Sequence, residues 1–515
     1  MYILDSWSMF MSARNSGRRT TVRSRPRLRI TTLCAGTLLG ALSGCAAGPN
    51  FHRPSAPAVT RYSMNADPIV THNTNGTAQR FSPGAPVAAD WWHLFHSAQL
   101  DAVMAQAMAD NPGVDAAQAS LRASQDNLRS GYGIFYPAID ADAGVTRERA
   151  NLISIGQKGG SVFNLFTLSA SVSYALDLFG GQRRLVESLH AQVDVARATE
   201  QATYLTLSTN VVNTMIAQAA YQAEIEATRE LIELEREQVH LAQVQADAGT
   251  VPYSNVLSLR SQLASSEAAI PGLEQKLTQS DDLLATLVGR TPAEWKTPKV
   301  GFEDLTLPSD LPVSLPSALV HQRPDILAAE ATAHQASANV GVATAALFPS
   351  VTLSAGAGTT SNSASNLFSS GSKVWNLGAG ASAPLFEGGT LWFKRKAAID
   401  NYQQAMASYR QTVLAAFEQV ADTLLALEHD AQALDAELRA LADAREALHL
   451  AQANDEAGLS TYLEVLNADA QYHQARIAEL QALAARYQDT VALFAALGGG
   501  WWNTQSAPTG TATGR

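Results

Sequence analysis

Phe166-Thr167-Leu168-Ser169-Ala170-Ser171-Val172-Ser173-Tyr174-Ala175-Leu176 is the stretch on which the fold turns. Its apolar residues occupy every second position with small residues, mostly polar, between them, the period of a β-strand with one greasy and one wet face. Similar alternation runs through Ile139 to Val145, Val351 to Ala357 and Trp375 to Leu385. That makes four strands of about ten residues, the length a tilted membrane strand requires. Phe135, Tyr136, Phe166, Phe179, Phe348, Trp375 and Phe386 lie near the strand ends, where interfacial aromatic girdles form. A soluble sheet alternates too, but Ser, Thr and Gly opposite the apolar face suit a water-filled lumen. Four strands leave open edges that lipid cannot satisfy, so such a sheet must close with copies from other chains. Two chains would give eight strands and a narrow barrel; three would give twelve and room for solute.

Outward from the strands, the chain repeats itself. Asn111-Pro112 is answered by Arg323-Pro324, and Phe135-Tyr136-Pro137 by Leu347-Phe348-Pro349, both 212 residues on. Leu178-Phe179-Gly180-Gly181 returns as Leu385-Phe386-Glu387-Gly388-Gly389, and Gly249, Tyr253, Val256 and Leu257 as Gly458, Tyr462, Val465 and Leu466. Each copy reads as a helix, a strand pair, a very long helix, a tight turn and another long helix. Met406, Val413, Val420, Leu427, Leu434, Leu441 and Leu448 recur every seven residues, a coiled-coil seam. A helix from about Gln182 to Asp247 would be on the order of 100 Å long at 1.5 Å per residue, enough to span a compartment. Pro271-Gly272 predicts a kink in the first return helix that the second copy lacks.

The first 44 residues carry seven arginines against one acid, followed by the apolar run Ile30 to Leu42, which is an export signal. Leu42-Ser43-Gly44-Cys45 resembles a bacterial lipobox, which implies cleavage before Cys45 and acylation of its thiol. Removing those 44 residues takes seven of 36 basic and one of 47 acidic residues, leaving a formal charge of −17. Such a charge favours no nucleic acid. Cys34 lies inside the signal, so the mature chain has no internal disulfide and depends on packing and assembly. Outside the N-terminus no run of 18 apolar residues occurs, which argues against a helical span and says nothing of a barrel.

Enzymatic motifs are sparse. His93 and His96 are close enough to share a metal but lack an acidic or cysteine partner set, and beside Trp91, Trp92 and Phe95 they read as packing. No Walker loop, GxSxG elbow or HExxH occurs in the mature chain. A periplasmic coiled-coil scaffold or pump adaptor would share the long helices and the lipid anchor but not the paired amphipathic strands.

With these features together, the chain resembles the TolC-like outer membrane factor family, and especially its lipoprotein branch serving resistance-nodulation-division pumps. The carriers are Trp91-Trp92 with Leu94-Phe95, Gln322-Arg323-Pro324-Asp325-Ile326, Leu347-Phe348-Pro349-Ser350, Pro384-Leu385-Phe386-Glu387-Gly388-Gly389 and Ala496-Leu497-Gly498-Gly499-Gly500-Trp501. The resemblance implies an α+β membrane protein with a TolC-like outer membrane efflux fold. Four strands per protomer would form a 12-stranded trimeric β-barrel, and long coiled-coil helices a 12-helix periplasmic tunnel. A mixed collar around it would draw on residues 49–90 and 289–318 and the C-terminus.

The implied organisation is a lipoprotein signal peptide at 1–44, a lipid anchor and equatorial segment at 45–95 and a first outer membrane efflux repeat at 96–290. An equatorial linker follows at 291–318, a second repeat at 319–500 and a disordered C-terminal tail at 501–515. The expected partners are two further copies in a homotrimer, a periplasmic adaptor, an inner-membrane transporter of the resistance-nodulation-division type, and outer-membrane lipid. No cofactor is expected beyond the covalent lipid on Cys45, an N-palmitoyl and an S-diacylglycerol group. Such a duct performs no chemistry and passes small molecules such as drugs, toxic compounds or metals.

Control is expected at the helix turns, where Gly249 and Gly458 permit tight reversals. The family closes this tip with converging side chains, commonly a leucine ring and an acidic ring. Leu463 matches the leucine; the family's acidic position is Asn467 here, and its arginine position is Ala470. Asp247, Asp455 and Asp469 lie close by and could supply an axial negative ring instead.

Overall fold

The computed structural model describes residues 46–64, 67–71, 78–151 and 160–503. The signal peptide expected at 1–44, Cys45, and the expected tail beyond Asn503 lie outside these residues. In chain order the elements are β1 (Arg80–Pro83), α1 (Ala98–Asp110), α2 (Pro112–Tyr132), β2 (Ala138–Asn151), β3 (Gly160–Leu176), α3 (Gly181–Asp247) and α4 (Tyr253–Leu287). The second half holds β4 (Asp310–Val313), α5 (Pro316–Leu319), α6 (Pro324–Ala345), β5 (Ser350–Ser361), β6 (Lys373–Ser382), α7 (Thr390–Glu456) and α8 (Tyr462–Ala496).

The duplication is metric as well as sequential. α3 and α7 are each 67 residues long, about 100 Å at helical rise, and α4 and α8 are each 35. The repeated glycine pairs explain how each rod begins: Gly180 and Gly389 sit at φ 77° and 86°, turning the chain from sheet into helix at a conformation that favours glycine. Asp177 accepts hydrogen bonds from the backbone amides of Gln182 and Arg183, supplying the cap that Gly180 cannot. α4 is one helix through Pro271, the residue at which a kink is expected. Residues 267 and 271 are exposed, so water can satisfy the Glu267 carbonyl left without a donor.

α4 and α2 meet end to end, and so do α8 and α6, so each return rod is prolonged by a short helix. At the first joint Asn111 donates from Nδ2 to the Leu287 carbonyl at 2.8 Å while its side-chain oxygen caps Gly113 and Val114. At the second joint the repeat-equivalent Arg323 donates from Nη1 to the Ala496 carbonyl at 2.7 Å, and holds Asp325 and Gln419 through its other nitrogens. One mechanical task is done by two chemistries. The helix heptads close the bundle: Val413, Val420, Leu427 and Leu434 are buried along α7, facing Leu480, Tyr487 and Phe494 of the same packed pair.

Around the middle, a collar packs one core. Trp91 stacks on Phe494 with centroids 5.0 Å apart, and Phe95 and Phe302 lean on Tyr487. β1 and β4 pair in parallel here, Phe81 opposite Leu311. Beneath them Arg486 is buried and donates to Gln79 and Thr71, while Gln79 donates to Thr490 and to the Pro308 carbonyl. The start of the expected tail is ordered: Trp501 donates to the Gln322 carbonyl and Asn503 to the Val87 carbonyl, which pins residues 501–503 to the collar. Among the described residues no helix is long and apolar enough to cross a membrane.

Candidate functional site

The sheet has the order β2-β3-β5-β6, antiparallel throughout, so the two hairpins are zipped together by β3 and β5. The alternating stretches all fall in strands, with shifted bounds. The last strand ends at Ser382 rather than Leu385, because Pro384 cannot donate to the ladder. The first two run longer than their alternation, to Asn151 and from Gly160.

Register shows which side chains share a face. Ile139 lies opposite Val172, Val172 opposite Ala355 and Ala355 opposite Leu377, all apolar; one residue along, Asp140, Ser171, Gly356 and Asn376 share the polar face. Of the eight large apolar strand residues that are strongly exposed, seven lie on the first face and only Val374 on the other. Ile139, Trp375 and Leu377 are 74%, 76% and 75% exposed. A sheet meant for water buries its greasy face against something; this one shows it. Its outer strands β2 and β6 also present unpaired backbone edges within the single chain.

At the base of the sheet the described chain begins, at Ala46. Cys45 itself is outside the described residues, but its neighbours are held firmly. The Ala47 amide donates to the Phe179 carbonyl at 2.8 Å, and buried Arg184 donates to the Ala47 carbonyl and to Asn50. Gly48, at φ 88°, passes so close to Gly341 that a Cβ would overlap its backbone. Below it Phe51 stacks on His334 and Arg53 pairs with Glu330, so residues 46–53 form a strap down α6. The stacked Phe179–Phe348 pair, 4.7 Å between centroids, lies at the sheet-proximal end of the same region.

At the far end of the rods both reversals use the same device. Gly249 and Gly458 sit at φ 76° and 70°, and the residue after each returns its amide to the carbonyl of Gln245 or Asn454. That is the six-to-one bond of a glycine-terminated helix. Leu463 is half-buried and Asn467 exposed; Asp247 is exposed and accepts from Gln243, and Asp455 is half-buried at the end of α7. Asp469 is placed differently: it faces His473 at 3.6 Å, and His473 faces Glu230 of α3 at 3.5 Å. Burial pushes the Asp469 carboxyl up, His473 opposes this, and Glu230 adds to it. Tyr462, which donates to Glu237 at 2.8 Å, and Gln238, which donates to the Leu466 carbonyl, tie the second tip to α3. His93 pairs with Asp101 at 2.6 Å, and His96 takes a left-handed turn conformation after the Trp91–Phe95 helix.

The outer membrane efflux protein family profile matches residues 103–290 and 315–499. The chain is 30% identical to the pyoverdine export outer membrane protein OpmQ of Pseudomonas aeruginosa, over 80% of this chain and 87% of that one. It is 28% identical to the cation efflux system protein CusC of Escherichia coli, over 90% and 97%. The solved outer-membrane channel OprN superposes with a TM-score of 0.79 at 27% identity, covering 89% of this chain and all of that one. Two matched repeats, a shared channel fold and an unburied membrane-type sheet lead to one assignment: the chain belongs to the outer membrane efflux protein family and is an outer-membrane channel subunit of an efflux pump.

Proposed function

We propose that three copies of this subunit close their sheets into one 12-stranded barrel and their rods into one 12-helix tunnel, a passive duct anchored by lipid on Cys45. The observation that carries this is the bare apolar face of a four-stranded sheet whose two outer edges are unpaired. In hydrocarbon every edge must find a partner, and a copy of the same sheet provides one without a new element. The duct does no chemistry: it replaces a lipid barrier with water, and energy comes from an inner-membrane transporter of the resistance-nodulation-division type through a periplasmic adaptor. Drugs, toxic compounds and metals are the cargo classes such a lumen passes.

Closure is assigned to the tip. Leu463 supplies an apolar constriction, Asn467 stands where the family carries an acid, and Asp247 and Asp455 add negative charge around it. Asp469 serves the seam with α3, through His473, rather than the axis. Single-channel conductance in planar bilayers tests the assignment. Leu463→Ala raises the open probability; a variant indistinguishable from wild type in conductance and gating refutes the gate.

A further inference from the structure

The strands of the four-stranded sheet carry six charged residues, and the register sorts them completely by sign. Asp140, Asp142 and Glu148 occupy the polar face of β2. Arg147 and Arg149 of β2 and Lys373 of β6 occupy the opposite face, with Ile139, Val145, Phe166, Leu377 and Trp375. The Arg147 guanidinium reaches Asn164 across the strand pair at 3.5 Å, which confirms the shared face. All three bases are exposed.

Their height is as ordered as their face. Arg147 lies eight residues beyond Ile139, and Lys373 eight residues from Ala381, each counted away from the helix end of its strand. Eight residues rise about 27 Å along a strand and about 20 Å along the axis of a barrel tilted by about 40°. That falls about 5 Å short of the roughly 25 Å apolar band of an outer-membrane barrel, a gap that a long basic side chain spans, so each base reaches the far rim. Val145 and Phe166 lie one same-face step below Arg147, and Trp375 one below Lys373, the aromatic-then-basic order of a membrane interface.

We infer that Arg147, Arg149 and Lys373 form an outward-facing basic belt that binds the phosphates of phosphorylated lipid headgroups in the outer leaflet. The inference rests on the closed-barrel reading, since only a closed wall turns this face to lipid. Guanidinium groups fit phosphate bidentately, and a base at an anionic membrane surface contributes about fivefold to binding. Three copies of the belt would ring the barrel, fixing its depth while the acids on the other face keep the lumen negative.

The test uses the full mature protein in phosphatidylcholine nanodiscs doped with a bis-phosphorylated glycolipid or with its dephosphorylated counterpart, counting retained lipids by native mass spectrometry. Wild type retains the phosphorylated lipid. Arg147→Gln/Arg149→Gln/Lys373→Gln lowers retention by about 100-fold, at about fivefold per base. Asp140→Asn/Asp142→Asn leaves retention unchanged, which separates the belt from net charge. Equal retention by wild type and the triple variant, or equal retention of both lipids, overturns the inference. If the same protein conducts in planar bilayers, the duct reading survives it; absence of current from both wild type and Leu463→Ala overturns both.

Discussion

Replacing Arg323 by Met probes the joint where α8 hands over to α6. Arg323 is 6% exposed and makes four donated bonds there, one to the Ala496 carbonyl, two to Asp325 and one to Gln419. Methionine keeps much of the stem, so little packing is lost. Asp325 is 45% exposed at its side chain and Gln419 lies at the surface, so water takes over both at small cost. Ala496 is buried, and its carbonyl loses this donor in a place water reaches poorly. The penalty is therefore dominated by that group and by the loss of a charge-assisted bond, about 2–3 kcal/mol. Amides in the last turn of α8 and the first turns of α6 should exchange with deuterium roughly 30- to 150-fold faster, while the Asn111 joint stays as in wild type. A change below about threefold at the Arg323 joint, or an equal change at both joints, would refute the reasoning.

Three further outcomes are expected. Asp430 is pushed up to about 7, first by burial and then by Asp489 beside it, against the pull of Arg486. The folded state then holds a proton the unfolded chain releases, so stability falls as pH rises from the ordinary carboxylate range through about 7; Asp430→Asn should flatten part of that slope in a thermal-melt series. Asp281, Asp469 and Glu479 shift in the same direction, so some slope remains. Gly458→Ala meets open space but forces a side chain into φ 70°, costing about 1–2 kcal/mol and speeding protease nicking at the tip without unfolding the collar. Cys45→Ala should abolish palmitate incorporation, and a variant that still takes up the label would remove the anchor from residue 45.

Most of the skeleton could be read before any coordinates, because periodicity is local. Phe166 to Leu176 and the heptads of α7 announce strand and coiled coil within a dozen residues, and the glycine pairs mark where one becomes the other. The pairing of Asn111-Pro112 with Arg323-Pro324 was also visible, yet not its meaning. The shared task depends on the carbonyls of Leu287 and Ala496, more than 170 residues away in each case. The strap has no period at all: Arg184 finds Asn50, and Gly48 finds Gly341, only once the rods are in place. β1 and β4 were illegible because each is four residues long and contains proline. At the tip, helical spacing brings Asp469 alongside His473, but nothing local brings Glu230 to meet it.

The duplication also specifies how neighbouring chains should join. Within one chain β3 pairs with β5, Val172 opposite Ala355. Carried through the two repeats, that contact becomes Ala379 of β6 opposite Ala143 on β2 of the next copy, both exposed and on the lipid-facing side. Ala143→Cys/Ala379→Cys introduces thiols into a chain whose own cysteines, Cys34 and Cys45, both precede the described residues. Oxidation, or a short bifunctional thiol reagent, applied to intact outer membranes should give covalent dimers and then a trimer that grows no further. Chains that stay monomeric, or that link into ladders beyond three, would contradict a closed trimeric wall.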